Sequence, residues 1–277
     1  MRRRSIVVLL LALAMAIASA ADLGAARFVA GLTPIRVTGR GGQVITQQYQ
    51  LTLGSEEKPT RFKLKVEDWW RSEDGQQSYY VLPGTLKHSC GTWVTVNPAE
   101  ALVQPGATLT ARISIGIPNP VPAGGYWCVL TVDETPNPLD APSGVGAQFV
   151  ASVSTGIFVN IEPVERAVEF VEIAVDDSRA LVKLRNLGNG PLVVEGRFEF
   201  LRSTSRQPVA VVPLTRVTLL PEPVDTAILT TGLPDASLLP SGTYVVRVVI
   251  DVGLDRYLGA EREIELKRPV TPLEQGP

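Results

Sequence analysis

Histidine is almost missing from this 277-residue chain: His88 is the only one. Any Ser–His or Cys–His mechanism would have to use it. Its neighbours Ser89 and Cys90 make no dyad with it, because adjacent residues of an extended chain point to opposite faces. A surface or turn histidine is the plainer reading. There is no zinc-ligand set, no EF-hand spacing and no phosphate loop. The carboxylate pairs Glu67-Asp68, Glu73-Asp74, Asp133-Glu134 and Asp176-Asp177 are sequence neighbours at turns and strand ends, where solvated acids are common. An enzyme would need carboxylates distant in sequence to converge. The expectation is a protein without catalytic site, metal or cofactor.

Long hydrophobic runs are also lacking. The longest, Ile6 to Ile17, has twelve residues, whereas a bilayer span needs about 20. It follows the basic Arg2-Arg3-Arg4 and precedes the small residues Ala18-Ser19-Ala20, the pattern of a cleaved export signal over residues 1–20. No Cys follows the cleavage site to carry a lipid, and membrane insertion is not expected. Removing three of 26 basic residues leaves 23 against 28 acidic ones, a net charge of −5. That balance argues against nucleic acid or anionic lipid as a partner.

Cysteine occurs twice, at Cys90 and Cys128. In an exported protein an isolated pair reads as one disulfide, contributing roughly 3–4 kcal/mol; a reactive thiol is the alternative.

Alternation of period two is abundant. Phe62, Leu64 and Val66 alternate with Arg61, Lys63 and Lys65, and Leu109, Ala111, Ile113, Ile115 and Ile117 alternate with polar residues. Tyr126, Cys128, Leu130 and Val132 continue the style. Phe149, Ala151 and Val153 lead into Ile157, Val159 and Ile161. No helical periodicity competes after the export signal. Gly and Pro, 24 and 22 in number, punctuate the strands. Glu134 to Gly146, with three prolines and two glycines, reads as a long mobile loop.

A weak repeat suggests one architecture used twice. Val121-Pro122-Ala123-Gly124-Gly125-Tyr126 and Leu239-Pro240-Ser241-Gly242-Thr243-Tyr244 each place a Pro/Gly turn before a Tyr that opens a strand, as at the tyrosine corner of β-sandwiches. The fold expected is all-β: two tandem immunoglobulin-like sandwiches, residues 21–163 and 164–267, then a disordered tail over 268–277. The second should hold eight strands, with Val209–Val212 and Arg216–Leu220 separate and Asn186-Leu187-Gly188-Asn189-Gly190-Pro191 a turn. Trp93 and Trp127 should pack near the cysteine pair. Of Trp69 and Trp70 one should point outward, as a binding anchor or a cover for the sandwich end.

The run Tyr126-Trp127-Cys128-Val129-Leu130-Thr131-Val132, the acidic Pro-containing stretch after it, the loop to Gly146 and the apolar strand Ala147 to Pro163 resemble the PapD-like periplasmic chaperones of pilus assembly. Trp93-Val94-Thr95-Val96-Asn97-Pro98 and Val103-Gln104-Pro105-Gly106 extend the resemblance over most of residues 32–163. It implies that the seventh strand is lent to a secreted pilin-like or surface-fibre subunit, with Phe149, Ala151 and Val153 filling its groove. It also implies an outer-membrane usher as a further partner. The other reading of that strand is an ordinary buried one. The family's basic residue late in this strand falls on Phe158 here, while its first-strand basic partner matches Arg36. The second sandwich is similar to those of divergent bacterial PapD-like proteins and of cell-wall proteins that bind WxL-domain partners. The function expected is an extracytoplasmic chaperone in the periplasm or at the cell surface. The alternative is a surface scaffold or adhesion protein that binds cell-wall polymer or another surface protein.

Overall fold

A computed structural model describes residues 27–31, 33–80, 82–135 and 150–268. The export signal, Phe149, most of the Glu134–Gly146 loop and all of the tail but Arg268 lie outside them. The described residues form strands and one short 3-10 turn, Gly91–Trp93.

The first sandwich uses β1 (Phe28–Ala30), β2 (Ile35–Gly39), β3 (Val44–Leu53), β4 (Thr60–Arg71), β5 (Gln77–Tyr80), β6 (Val94–Asn97), β7 (Glu100–Val103), β8 (Thr108–Gly116), β9 (Gly124–Thr135) and β10 (Ser152–Ile161). One sheet runs β1-β3-β8-β6, the other β2-β10-β9-β4-β5 with β7 also on β4. The first stretch of chain therefore changes sheets, at Gly31 to Pro34. The alternation explains the core: Leu51, Phe62, Leu64, Ile113, Ile115, Leu130, Ile157 and Val159 are buried between the sheets. Cys90 and Cys128 lie there too, joined in a disulfide with Cα atoms 5.3 Å apart.

The second sandwich uses β11 (Val168–Val175), β12 (Arg179–Asn186), β13 (Leu192–Arg202), β14 (Pro208–Leu219), β15 (Thr226–Gly232), β16 (Gly242–Asp251) and β17 (Leu258–Leu266). Its sheets are β11-β12-β15 and β14-β13-β16-β17. Seven strands replace the eight expected, because Val209–Val212 and Arg216–Leu220 are halves of one bulged strand. The register against β13 shifts between Val194 and Gly196. There Thr215 and Arg216 oppose the single residue Glu195, a bulge that bends the strand without ending it.

The internal repeat is a structural one. Tyr126 donates its hydroxyl to the carbonyl of Pro122 at 3.0 Å, and Tyr244 to that of Pro240 at 2.9 Å. Burial pushes the Tyr126 phenol pKa up. Each tyrosine opens its strand and ties the turn four residues upstream.

Candidate partner-binding edge and the interdomain junction

β10 has two unlike halves. β9 pairs antiparallel with all of it, Ser152 to Ile161. β2 pairs parallel with Ile157 to Ile161 only. Among the described residues, Ser152–Gly156 thus has a strand neighbour on one side alone. Alternation puts Ala151 and Val153 on the core-facing side, both half-buried, followed by the buried Thr155. The Thr155 hydroxyl donates to the Gly31 carbonyl at 2.8 Å, which pins the chain where it crosses between sheets. The opposite face is polar: Ser152 donates to Asp133 at 2.6 Å, and Ser154 pairs with Thr131 at 3.1 Å.

Most other edges among the described residues are short or blunted, the ways in which proteins avoid unwanted pairing. β1, β5, β6 and β7 have three or four residues. β14 carries Pro208 and Pro213 with two register shifts. β17 presents Glu261, Arg262, Glu263 and Glu265. On β11 the Ile173 carbonyl is taken by the Arg262 guanidinium.

The second half of β10 is wedged into a junction. Phe158 points away from the core and packs edge-on against Trp69, ring centroids 6.2 Å apart. Trp127, Val129 and Leu220 of the second sandwich complete this buried cluster. Arg36 is level with Phe158 in the β2–β10 register, and its guanidinium carbon lies 4.5 Å from the Phe158 ring centroid, a cation–π contact. Desolvation, then the like charge of Arg216 in the second sandwich, lowers the Arg36 pKa from its ordinary value.

Trp93 meets Tyr126 in the core beside the disulfide, at 4.5 Å. Trp127 does not: it neighbours Cys128 in sequence and so faces the other way, into the junction. Trp69 also faces outward, yet Leu220 covers it and only 6% of it is exposed. It covers the sandwich end and is no free anchor.

Several residues named from the sequence serve the junction, which no local pattern announced, and His88, expected at the surface or in a turn, is wedged between aromatic rings there. His88 stacks on Trp127 (5.8 Å, 29°) and meets Tyr126 edge-on. Its backbone N–H donates to Glu222 Oε1 at 3.0 Å. The same oxygen lies 3.0 Å from His88 Nδ1, without hydrogen-bond alignment. The β4–β5 hairpin reaches across: Glu73 pairs with Lys183 at 2.6 Å, and its carbonyl accepts the Ile228 N–H at 2.8 Å, occupying the edge of β15. Both glycine motifs read as turns meet here. The Asn189 carbonyl accepts from Gly125 N–H at 2.9 Å, and a Cβ on Gly125 would stand 2.6 Å from Pro191 Cδ. The asparagine side chain takes the Glu165 N–H at 2.7 Å. The one available signal was the clustering of Gly and Asn beyond what a turn needs.

Asp68 is fully buried and organises the loop that carries His88. It accepts the Leu86 N–H at 2.9 Å and the Ser89 hydroxyl, which in turn accepts the N–H groups of Gly84 and Gly91. Its carboxylate is satisfied by these bonds. Among the described residues no three His, Cys, Asp or Glu side chains converge as a metal site.

No protein-family model matches the chain, and no curated protein matches it in sequence. Among solved structures it is similar to several fimbrial chaperones. The class 5 fimbriae chaperone CfaA is 9% identical, with a TM-score of 0.48 over 85% of this chain and 99% of that one. The Pseudomonas aeruginosa CupB2 chaperone is 14% identical, with a TM-score of 0.42 over 84% and 99%. The E. coli chaperone DraB is 16% identical, with a TM-score of 0.45 over 88% and 98%.

Proposed function

We propose that this chain is an extracytoplasmic chaperone-like protein that binds a secreted pilin-like or surface-fibre subunit by lending it the open edge of β10. The observation that carries this reading is the stretch Ser152–Gly156, held by β9 and, among the described residues, without a strand on its other side. Main-chain groups there supply affinity, and Ala151 and Val153, continued by Phe149, enter the partner's groove. Arg36, seated on the Phe158 ring with Arg216 nearby, is the basic residue of the cleft and suits a terminal carboxylate of the subunit. In this reading the protein works by binding. Its place is the periplasm or cell surface, and an outer-membrane usher would receive the loaded subunit.

Co-expression with the secreted proteins encoded beside it, followed by pull-down, tests this. Wild type should recover a subunit, and a folded F149D/A151D/V153D variant should not. Recovery of the same partner by both proteins sinks donation of the strand.

A further inference from the structure

The bulge in β14 opens a shallow pocket of about 480 Å³ on the outer face of the second sandwich. That volume is ample for a small ligand. Three features make it more than a gap between side chains. First, the backbone forms it. The extra residue in β14 lies opposite Glu195, and Gly196 lets β13 close on the β16 backbone at the pocket floor, where a Cβ would stand 2.3 Å from the Val249 carbonyl oxygen. Second, the pocket has an apolar floor, Leu214 and Val249, and an aromatic rim, Tyr257, whose surface is 68% exposed. Its ring offers an exposed apolar face beside that floor. Third, its charged groups are already oriented by partners of opposite sign. Arg216 meets Glu195 at 3.0 Å, and Arg197 meets Glu199 at 2.7 Å. Asp251 holds the Gly253 N–H at 2.8 Å, and Arg166 holds the Gly253 carbonyl at 3.1 Å, which fixes the loop that ends in Tyr257.

We infer that this pocket is a saccharide-binding subsite for a neutral pyranose unit. A sugar ring offers an apolar C–H face and a rim of hydroxyls. The Tyr257 ring and the Leu214–Val249 floor suit the first; the fixed guanidinium and carboxylate groups suit the second, donating to and accepting from neighbouring hydroxyls. The lining carries two arginines and two carboxylates, Arg197, Arg216, Glu195 and Asp251, so its charges sum to zero and favour a neutral ligand over a small ion. The site is independent of the β10 edge, so either can exist without the other.

The experiment is a titration of the folded chain with chitotetraose, cellotetraose and maltotetraose, followed by backbone amide NMR. At least one should give saturable shifts confined to residues around 195–197, 214–216 and 249–257, with a dissociation constant in the millimolar range or tighter, as small ligands on open sites give. Y257A, a change at an exposed loop position, should weaken this at least about tenfold, and R216A should weaken it as well. Absence of saturable shifts up to about 10 mM of all three overturns the inference, as does equal binding by Y257A.

Discussion

Leu220 should couple the two sandwiches, and L220A measures how strongly. The side chain is 2% exposed and fills the space between Trp69, Trp127 and Phe158. Truncation removes three carbons, about 2.4 kcal/mol of transfer free energy at ~0.8 kcal/mol each. The cavity adds to this because its walls are fixed: Trp127 Nε1 donates to the Trp69 carbonyl at 3.0 Å, and Phe158 is held in mid-strand. The expected loss is about 3–4 kcal/mol, within the range for buried Leu→Ala. All four tryptophans, at 69, 70, 93 and 127, lie in the first sandwich, so their fluorescence reports that sandwich and the junction only. Urea unfolding of L220A followed by this signal should move to lower denaturant with unchanged slope, and the native emission should shift red as Trp69 is uncovered. L184A is the control, since Leu184 is fully buried in the second core away from the junction. It should leave native emission unchanged. A tryptophan-monitored loss below about 1 kcal/mol for L220A, with unshifted emission, would refute the coupling.

Y126F and Y244F should each cost about 1 kcal/mol, the net worth of one hydrogen bond, and by similar amounts because the two bonds are alike; urea unfolding compares them. Replacing Cys90 and Cys128 by Ala opens a loop with a sequence separation of 38 and should cost about 4 kcal/mol in the chain-entropy model, read as a lower unfolding midpoint without reductant. Hydrogen bonds from Lys183 and Thr226 hold the Glu73 pKa below its ordinary value. A carboxyl lowered on folding contributes while ionised. The hairpin tie should therefore be intact above about pH 4.3 and fade as the pH falls further. The side-chain NMR signal of Lys183 should report this loss of the ion pair below that pH, and E73Q should lack the titration step.

The two cores were legible because burial follows a period of two. Each alternating run, from Phe62–Val66 to Ile157–Ile161, lies with its apolar members inside. The repeated Tyr was legible because a Pro/Gly turn and a ring at the next strand's start need only local geometry. What the alternation could not assign was the use of the other face. Trp127 was expected beside the disulfide, yet its position one residue before Cys128 sends it to the opposite side. The two strands expected over Val209–Leu220 are one, since Pro213 between them lies on an edge strand, which tolerates it where no ladder bond is needed. The junction was hidden for a different reason. Glu73–Lys183, His88–Glu222 and Gly125–Asn189 join residues far apart in sequence across two separately folded units, and no local pattern encodes such pairings.

One strand serves both the junction and the open edge, and this division shapes what its edge can do. The half from Ile157 to Ile161 has strands on both sides and Phe158 locked beneath Leu220. The half from Ser152 to Gly156 is ordered by β9 along its whole length, so a strand added to its free side gains main-chain bonds without first ordering β10. That lowers the entropy cost that weakens binding by flexible segments. The outward face of this half carries Ser152 and Ser154, bonded to Asp133 and Thr131. Its sheet face is therefore wet, while its edge is bare. A non-specific hydrophobic partner finds little to grip on such a surface. A partner that presents its own unpaired strand edge and an apolar groove finds both main-chain groups and the Ala151 and Val153 side chains in register. Under the proposed lending of the edge, this contrast between face and edge favours an incomplete β-sandwich over other apolar surfaces.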